Sequence, residues 1–304
     1  MRTATLALLA GFTLGVIAPA HAADLDYGVL RGPDYEPEVP VIDWNGIYFG
    51  GHGGYSSARA GFKNAYKPIV SNALRYTVAE AEFNASTMLS SRGGSTDGAS
   101  YGAFLGFNYQ FDETVVGVEA DYTRFDRTAS TSDRLALFRT DSLGYMHTVA
   151  LDGTATARIE DYGTIRARGG YAMGNFLPYV TGGLAIGRVH SDQVVAISDY
   201  GYDVSAYRSN QALTTGKVVA VKNFGYTTFD ETKPEAGIPA TRVIRNSATK
   251  TMGGFALGAG LEFAVTQNIL LRGEYQYVML NDFQKSSGNG ISINTVRAGA
   301  AVKF

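Results

Sequence analysis

No cysteine occurs among the 304 residues, which excludes a disulfide scaffold, a thiolate metal site and a lipid-bearing N-terminal cysteine together. Charge of one sign is missing as well. With 26 bases against 28 acids, nothing marks a surface for nucleic acid. Apolar runs approaching the ~20 residues of a membrane-spanning helix are absent beyond the N-terminus, so a helical membrane protein is excluded. Proline is scarce at 8 and tryptophan occurs once, whereas 37 glycines, 19 tyrosines and 16 phenylalanines are present. Aromatics favour strands and glycines let strands bend, so the composition points to an all-β chain.

The N-terminus carries Arg2, an apolar run over 4–17 and then Pro19-Ala20-His21-Ala22. These are the basic, hydrophobic and small-residue parts of a secretory signal, expected over 1–22. Residues 23–43 hold Pro33, Pro37, Pro40 and several acids and read as an extended periplasmic lead-in.

From 44 onward a period of two dominates. In Ala99 to Phe111, "ASYGAFLGFNYQF", odd positions are apolar or aromatic and even positions small or polar, with Phe104 as the exception. Similar alternation recurs over 44–56, 115–124, 162–172, 177–188, 254–264, 269–280 and 295–304. Such lengths suit tilted strands that cross a bilayer. Connections over 112–114, 173–175 and 266–268 are short; those over 57–98, 125–161 and 189–253 are long, and 281–290 is intermediate. Segregating tight turns to one end and large loops to the other is the plan of an outer-membrane barrel. The expected fold is therefore an all-β, eight-stranded antiparallel transmembrane β-barrel over 44–304, with long extracellular loops and both termini periplasmic. Residues 217–229, "KVVAVKNFGYTTF", are expected to form a hairpin continuing two strands beyond the membrane.

The segments "DWNGIYFGGHGGYS" at 43–56, "VVGVEADY" at 115–122, "YGTIRARGGYAMGNFLPYVTGGLAIG" at 162–187, "GGFALGAGLEFAVTQNILLRGEYQYV" at 253–278 and the terminal "VRAGAAVKF" resemble the alphaproteobacterial outer-membrane surface-protein family of small porin-like barrels. That resemblance covers strands and turns but not the long loops. It implies an eight-stranded barrel and no reaction, with some relatives acting as surface antigens or haem binders.

Parity alone turns Glu119, Asp121, Glu262 and Glu274 inward together with Arg166, Arg168, Arg272, Arg297 and Lys303. Eight strands leave an interior just wide enough for side chains to fill, so these charges are expected to pair across the lumen and plug it. Two other readings stay open: a small porin passing small solutes, and loops that bind haem or another extracellular ligand. His52 faces inward on the first strand, while His147 and His190 fall in expected loops. In "LGYMH" over 143–147 a tyrosine, a methionine and a histidine stand together, residue types that ligate haem iron. A lipid-modifying enzyme would need a histidine and a serine to converge at the rim, but His190 and Ser191 are neighbours on opposite faces of any strand. No enzyme, no cofactor, no metal and a monomer are expected. The partners are outer-membrane lipid and, during biogenesis, the barrel assembly machinery, for which the terminal aromatic Phe304 is the expected signal.

Overall fold

The computed structural model describes residues 42–216, 218–281 and 290–304; the expected signal and nearly all of the lead-in lie outside them. Eight long strands follow one another: β1 (Gly46–Ala60), β2 (Gly94–Phe111), β3 (Thr114–Thr140), β4 (Tyr145–Tyr171), β5 (Phe176–Asp203), β6 (Thr241–Ala264), β7 (Ile269–Asn281) and β8 (Ile291–Lys303). Each pairs antiparallel with its sequence neighbours, and β8 returns to β1 with Val302 opposite Phe49 and Val296 opposite Tyr55. The ring is closed. Closure pairs the backbone of every strand on both sides, the condition for standing in hydrocarbon.

The connections at one end are tight. Asp112 takes a positive φ of 53° in the turn from β2 to β3, and Gly174 one of 61° between β4 and β5. Outward positions through the ring are apolar, among them Val118, Ile165, Val180, Leu257 and Val296. Aromatic rings border this band. Phe49 stacks on Phe304 at 5.8 Å and Phe176 meets Phe263 at 4.9 Å at the turn end, while Tyr55, Tyr101, Tyr122 and Tyr275 border it at the other. Two aromatic girdles around an apolar belt are what a bilayer selects, because such rings settle at the two interfaces.

The loop end departs from the expectation. The segment 125–161 is no loop: β3 and β4, 27 residues each, run through it to a tight turn over 141–144. β5 and β6 likewise extend through much of 189–253. These extensions were concealed because their polarity is inverted. Below, charges face in and apolar groups face out; above, Ala129, Val149, Leu151, Ile159, Val195 and Ile197 face in and are buried. The switch coincides with irregularities in register between Arg124 and Arg127 on β3 and between Ile159 and Asp161 on β4. A bulge shifts one strand's alternation against its partner's, which is how the faces are re-aimed there.

What fills the inverted interior is the connection from β1 to β2. It folds into helices α1 (Lys67–Ala73) and α2 (Val78–Phe83). Pro68 opens α1, and the Thr77 hydroxyl caps α2 by accepting from Glu80 N–H. Phe62, Tyr66, Val70, Leu74 and Phe83 pack against the inner faces of β3 to β5 in one core. Among the described residues of the segment 217–229, the expected hairpin is not formed. Instead α3 (Val204–Ala212) follows β5, Asn223–Phe224 pairs with the end of β5, and Tyr226–Thr228 pairs with Ile238–Pro239. The two strands expected to be prolonged by a hairpin are prolonged by their own residues.

Candidate functional site: the charged interior of the barrel

The first described residues close the turn end from inside. Trp44 precedes β1 rather than opening it and is fully buried with Tyr48, Val115, Leu177, Ala264 and Leu270. Its backbone N–H donates to Gln110 Oε1 at 2.8 Å. The chain then enters the wall at Gly46, whose φ of 118° and whose approach to the Phe304 carbonyl leave no room for a Cβ.

Above this apolar floor the inward charges come together. Arg297 donates to Asp121 at 2.7 Å and to Glu274 at 2.9 Å; Arg166 bridges Glu274 at 2.5 Å and Glu119 at 2.6 Å. Arg272 joins Glu119 at 2.8 Å to Glu262 at 2.6 Å, and Arg168 grips Glu262 at 2.5 and 2.9 Å. Four guanidinium groups and four carboxylates thus alternate in one unbroken chain, with side chains at most 2% exposed. Charges so deeply desolvated are tolerable only when each is met by an opposite one. Fork-shaped donors that reach two carboxylates at once do this better than lysine could.

Aromatic residues complete the layer. The Tyr48 hydroxyl donates to Glu119 at 2.8 Å and accepts from Arg168 at 3.2 Å, and the Tyr179 hydroxyl donates to Glu274 at 2.8 Å. Arg168 stacks over the Tyr179 ring and Arg272 over Phe104, each at 3.8 Å. Phe104, the exception to outward parity in β2, is thus an inward partner of a cation. Glycines opposite these bulky groups make the space: a Cβ at Gly106 would lie 2.2 Å from Tyr48 Oη, and one at Gly258 2.6 Å from Thr181 Oγ1. The sequence signal was available in those inward glycines, since a narrow lumen accommodates a large side chain only where its neighbour is small.

His52 also belongs here. Its Nε2 lies 2.9 Å from Asp121 Oδ2 and 3.1 Å from Arg297 Nη1. Lys303 does not join the network. It stands at the turn end, beside the apolar floor, where its Nζ donates to the Asp43 carbonyl. Toward the loop end a hydroxyl cluster follows, with Ser56 2.7 Å from both Ser100 and Thr295, and then apolar Val278, Leu280 and Ile293 continuous with the helix-filled core.

Of the two histidines expected in loops, His147 is not where a ligand could reach it. His147 lies in β4, 2% exposed, with Nε2 2.5 Å from Asp199 and Nδ1 3.4 Å from Asp141. Phe83 and Phe224 stand edge-on to its ring at 5.0 Å. Met146 turns to the opposite face, against Tyr202 and Val221, so the cluster in "LGYMH" does not converge. His190 lies in β5 and meets Thr249 at 2.9 Å, while Ser191 lines a cavity on the inner side. Among the described residues, no group of three or more His, Asp or Glu is arranged to hold a metal ion.

Comparison with known proteins bears on the family of the chain. The family described as "Outer membrane protein beta-barrel domain" matches residues 6–304. The 31 kDa outer-membrane immunogenic protein of Brucella melitensis biotype 1 is 27% identical over 308 residues, 98% of each chain. The 22 kDa outer membrane protein of Rhizobium leguminosarum bv. viciae is 27% identical over 277 residues, 88% of this chain and 82% of the relative. Among solved structures, the attachment invasion locus protein Ail of Yersinia pestis is similar at 14% identity and a TM-score of 0.30, over 86% of this chain and 99% of that one.

Proposed function

Because the chain belongs to the outer membrane protein beta-barrel domain family, we propose that it serves the outer membrane of its Gram-negative cell as a closed, structural surface barrel. In this reading it supports envelope integrity and presents its loop end to the outside. The turn end and both termini face the periplasm. The observation that carries the proposal is the stack of three interior layers: an apolar floor around Trp44, a charge chain of zero net sum, and an apolar core filled by α1 and α2. A pore needs a continuous polar path, and two apolar layers interrupt one here. Outer-membrane lipid is the standing partner, and the barrel assembly machinery acts during biogenesis.

Planar-bilayer recording on refolded protein tests this directly. Silent membranes are expected at protein densities where porins give clear traces. Reproducible discrete conductance steps would replace the closed barrel by the small-porin reading.

A further inference from the structure

The outer wall over β3 to β6 carries a vertical order of chemistry, and cross-strand register aligns it. Tyr122, Gly163, Ile186 and Gly253 are successive partners across β3, β4, β5 and β6. The two glycines leave a slot of about 570 Å³ in the apolar wall, walled by Ala120, Ile165, Leu184 and Ile186. One step toward the loop end the row reads Arg124, Asp161, Arg188, Thr251. This is the first charged row above the apolar belt, which places it at the membrane interface. Arg188 donates to Asp161, which also accepts from the Tyr122 hydroxyl at 3.0 Å. Arg124 and Arg158 share Asp126. The carboxylates orient the guanidinium groups, yet the arginine side chains stay 47%, 50% and 57% exposed at 124, 158 and 188.

The wall above that row is hydroxyl-rich. The outward positions Thr128, Ser130, Ser132, Thr154, Thr156, Ser247 and Thr249 form a flat face, with His190 and Asp192 among them. On the opposite wall, among the described residues, the strands are shorter: β1, β7 and β8 stop at Ala60, Asn281 and Ile291.

We propose that this face of β3 to β6 is a binding site for the phosphorylated glycolipid of the outer leaflet: one acyl chain in the glycine slot, a phosphate on Arg124 and Arg188, and sugar along the Ser/Thr face. Each tier meets its complement. Apolar surface removed from water or loosely packed lipid suits a chain, exposed guanidinium forks suit phosphate oxygens, and a plane of hydroxyl donors and acceptors suits a saccharide. A phospholipid satisfies the lower two tiers and leaves the third unused. The inference rests on the proposed orientation of the loop end outward, and it is independent of whether the lumen conducts.

Native mass spectrometry of the folded full-length chain in detergent tests it with two probes, deep-rough lipopolysaccharide and phosphatidylglycerol. The lipopolysaccharide is expected to be retained at least ~10-fold more strongly, a difference of about 1.4 kcal/mol. Filling the slot in a Gly163→Leu/Gly253→Leu variant, or removing the cation in Arg188→Gln, is expected to abolish that preference. Gly169→Leu is the control, since a Cβ there meets nothing within 4 Å. Equal retention of the two lipids by the unaltered chain, which depends on no variant folding, overturns the site and leaves only nonspecific annular lipid. An unchanged preference in both variants overturns it as well. A barrel that conducts and still prefers lipopolysaccharide removes the closed-lumen reading and sustains this one.

Discussion

Glu274 holds Arg166 and Arg297 at once and takes the Tyr179 hydroxyl besides, so its removal leaves two buried cations each short of a partner. Glu274→Ala is expected to lower the unfolding free energy of the refolded barrel by ~3–5 kcal/mol in urea titrations, the usual cost of breaking a buried pair. A loss below about 0.5 kcal/mol would mean a solvated carboxylate and an open lumen. Space is as critical as charge. Gly258→Ala would set a methyl 2.6 Å from Thr181 Oγ1 and 3.1 Å from Arg166 Nη1, and overpacking of this kind costs ~1–3 kcal/mol. At this scale the inward charges were readable from alternation, because a charge on one face of a strand whose other face is greasy has only one place to point. Tyr48, Tyr179 and Phe104 were not, since an aromatic ring satisfies either face. Lys303 misled because parity gives direction without height: it points inward at a level where the charge chain has ended.

Among the elements, β8 depends on its last residue. The Phe304 N–H donates to the Ile47 carbonyl at 2.9 Å and its ring stacks on Phe49, which ties the seam between the first and last strands at the turn end. Deleting Phe304 is expected to leave export intact and to reduce sharply the heat-modifiable, membrane-inserted form on unheated gels. Normal yield of folded barrel at native expression would contradict its role as an assembly signal. The helix α1 makes a different prediction. Val70 is fully buried, so Val70→Asp puts an unpaired charge into the upper core. Limited trypsin digestion should then cut at Arg75, while the heat-modifiable lower barrel persists. The lower strands were legible because lipid outside and charge inside give alternation its strongest contrast. Above the bulges small residues such as Ala129, Ser130, Ala155 and Thr156 alternate weakly and in the opposite sense, and they read as loop.

For the whole molecule, protease added to intact cells is expected to cut beyond Ala212, in the exposed stretch following α3, and to spare the turn at Asp112; cleavage confined to the short turns would reverse the orientation. The inversion of polarity at the bulges reaches further than topology. It divides one continuous set of hydrogen-bonded strands into two cooperative units with different sources of stability: a lower one sealed by ionic contacts between strands, and an upper one whose apolar face exists only while α1 and α2 remain docked. Opening of the upper unit exposes its core to water without breaching the bilayer, so the two need not open together. Amide hydrogen exchange should therefore change rate within single strands. Along β3, β4 and β5 the amides above Arg127, Ile159 and Val189 are expected to exchange faster than those of the same strands below, with the step falling at the bulge on β3 and β4.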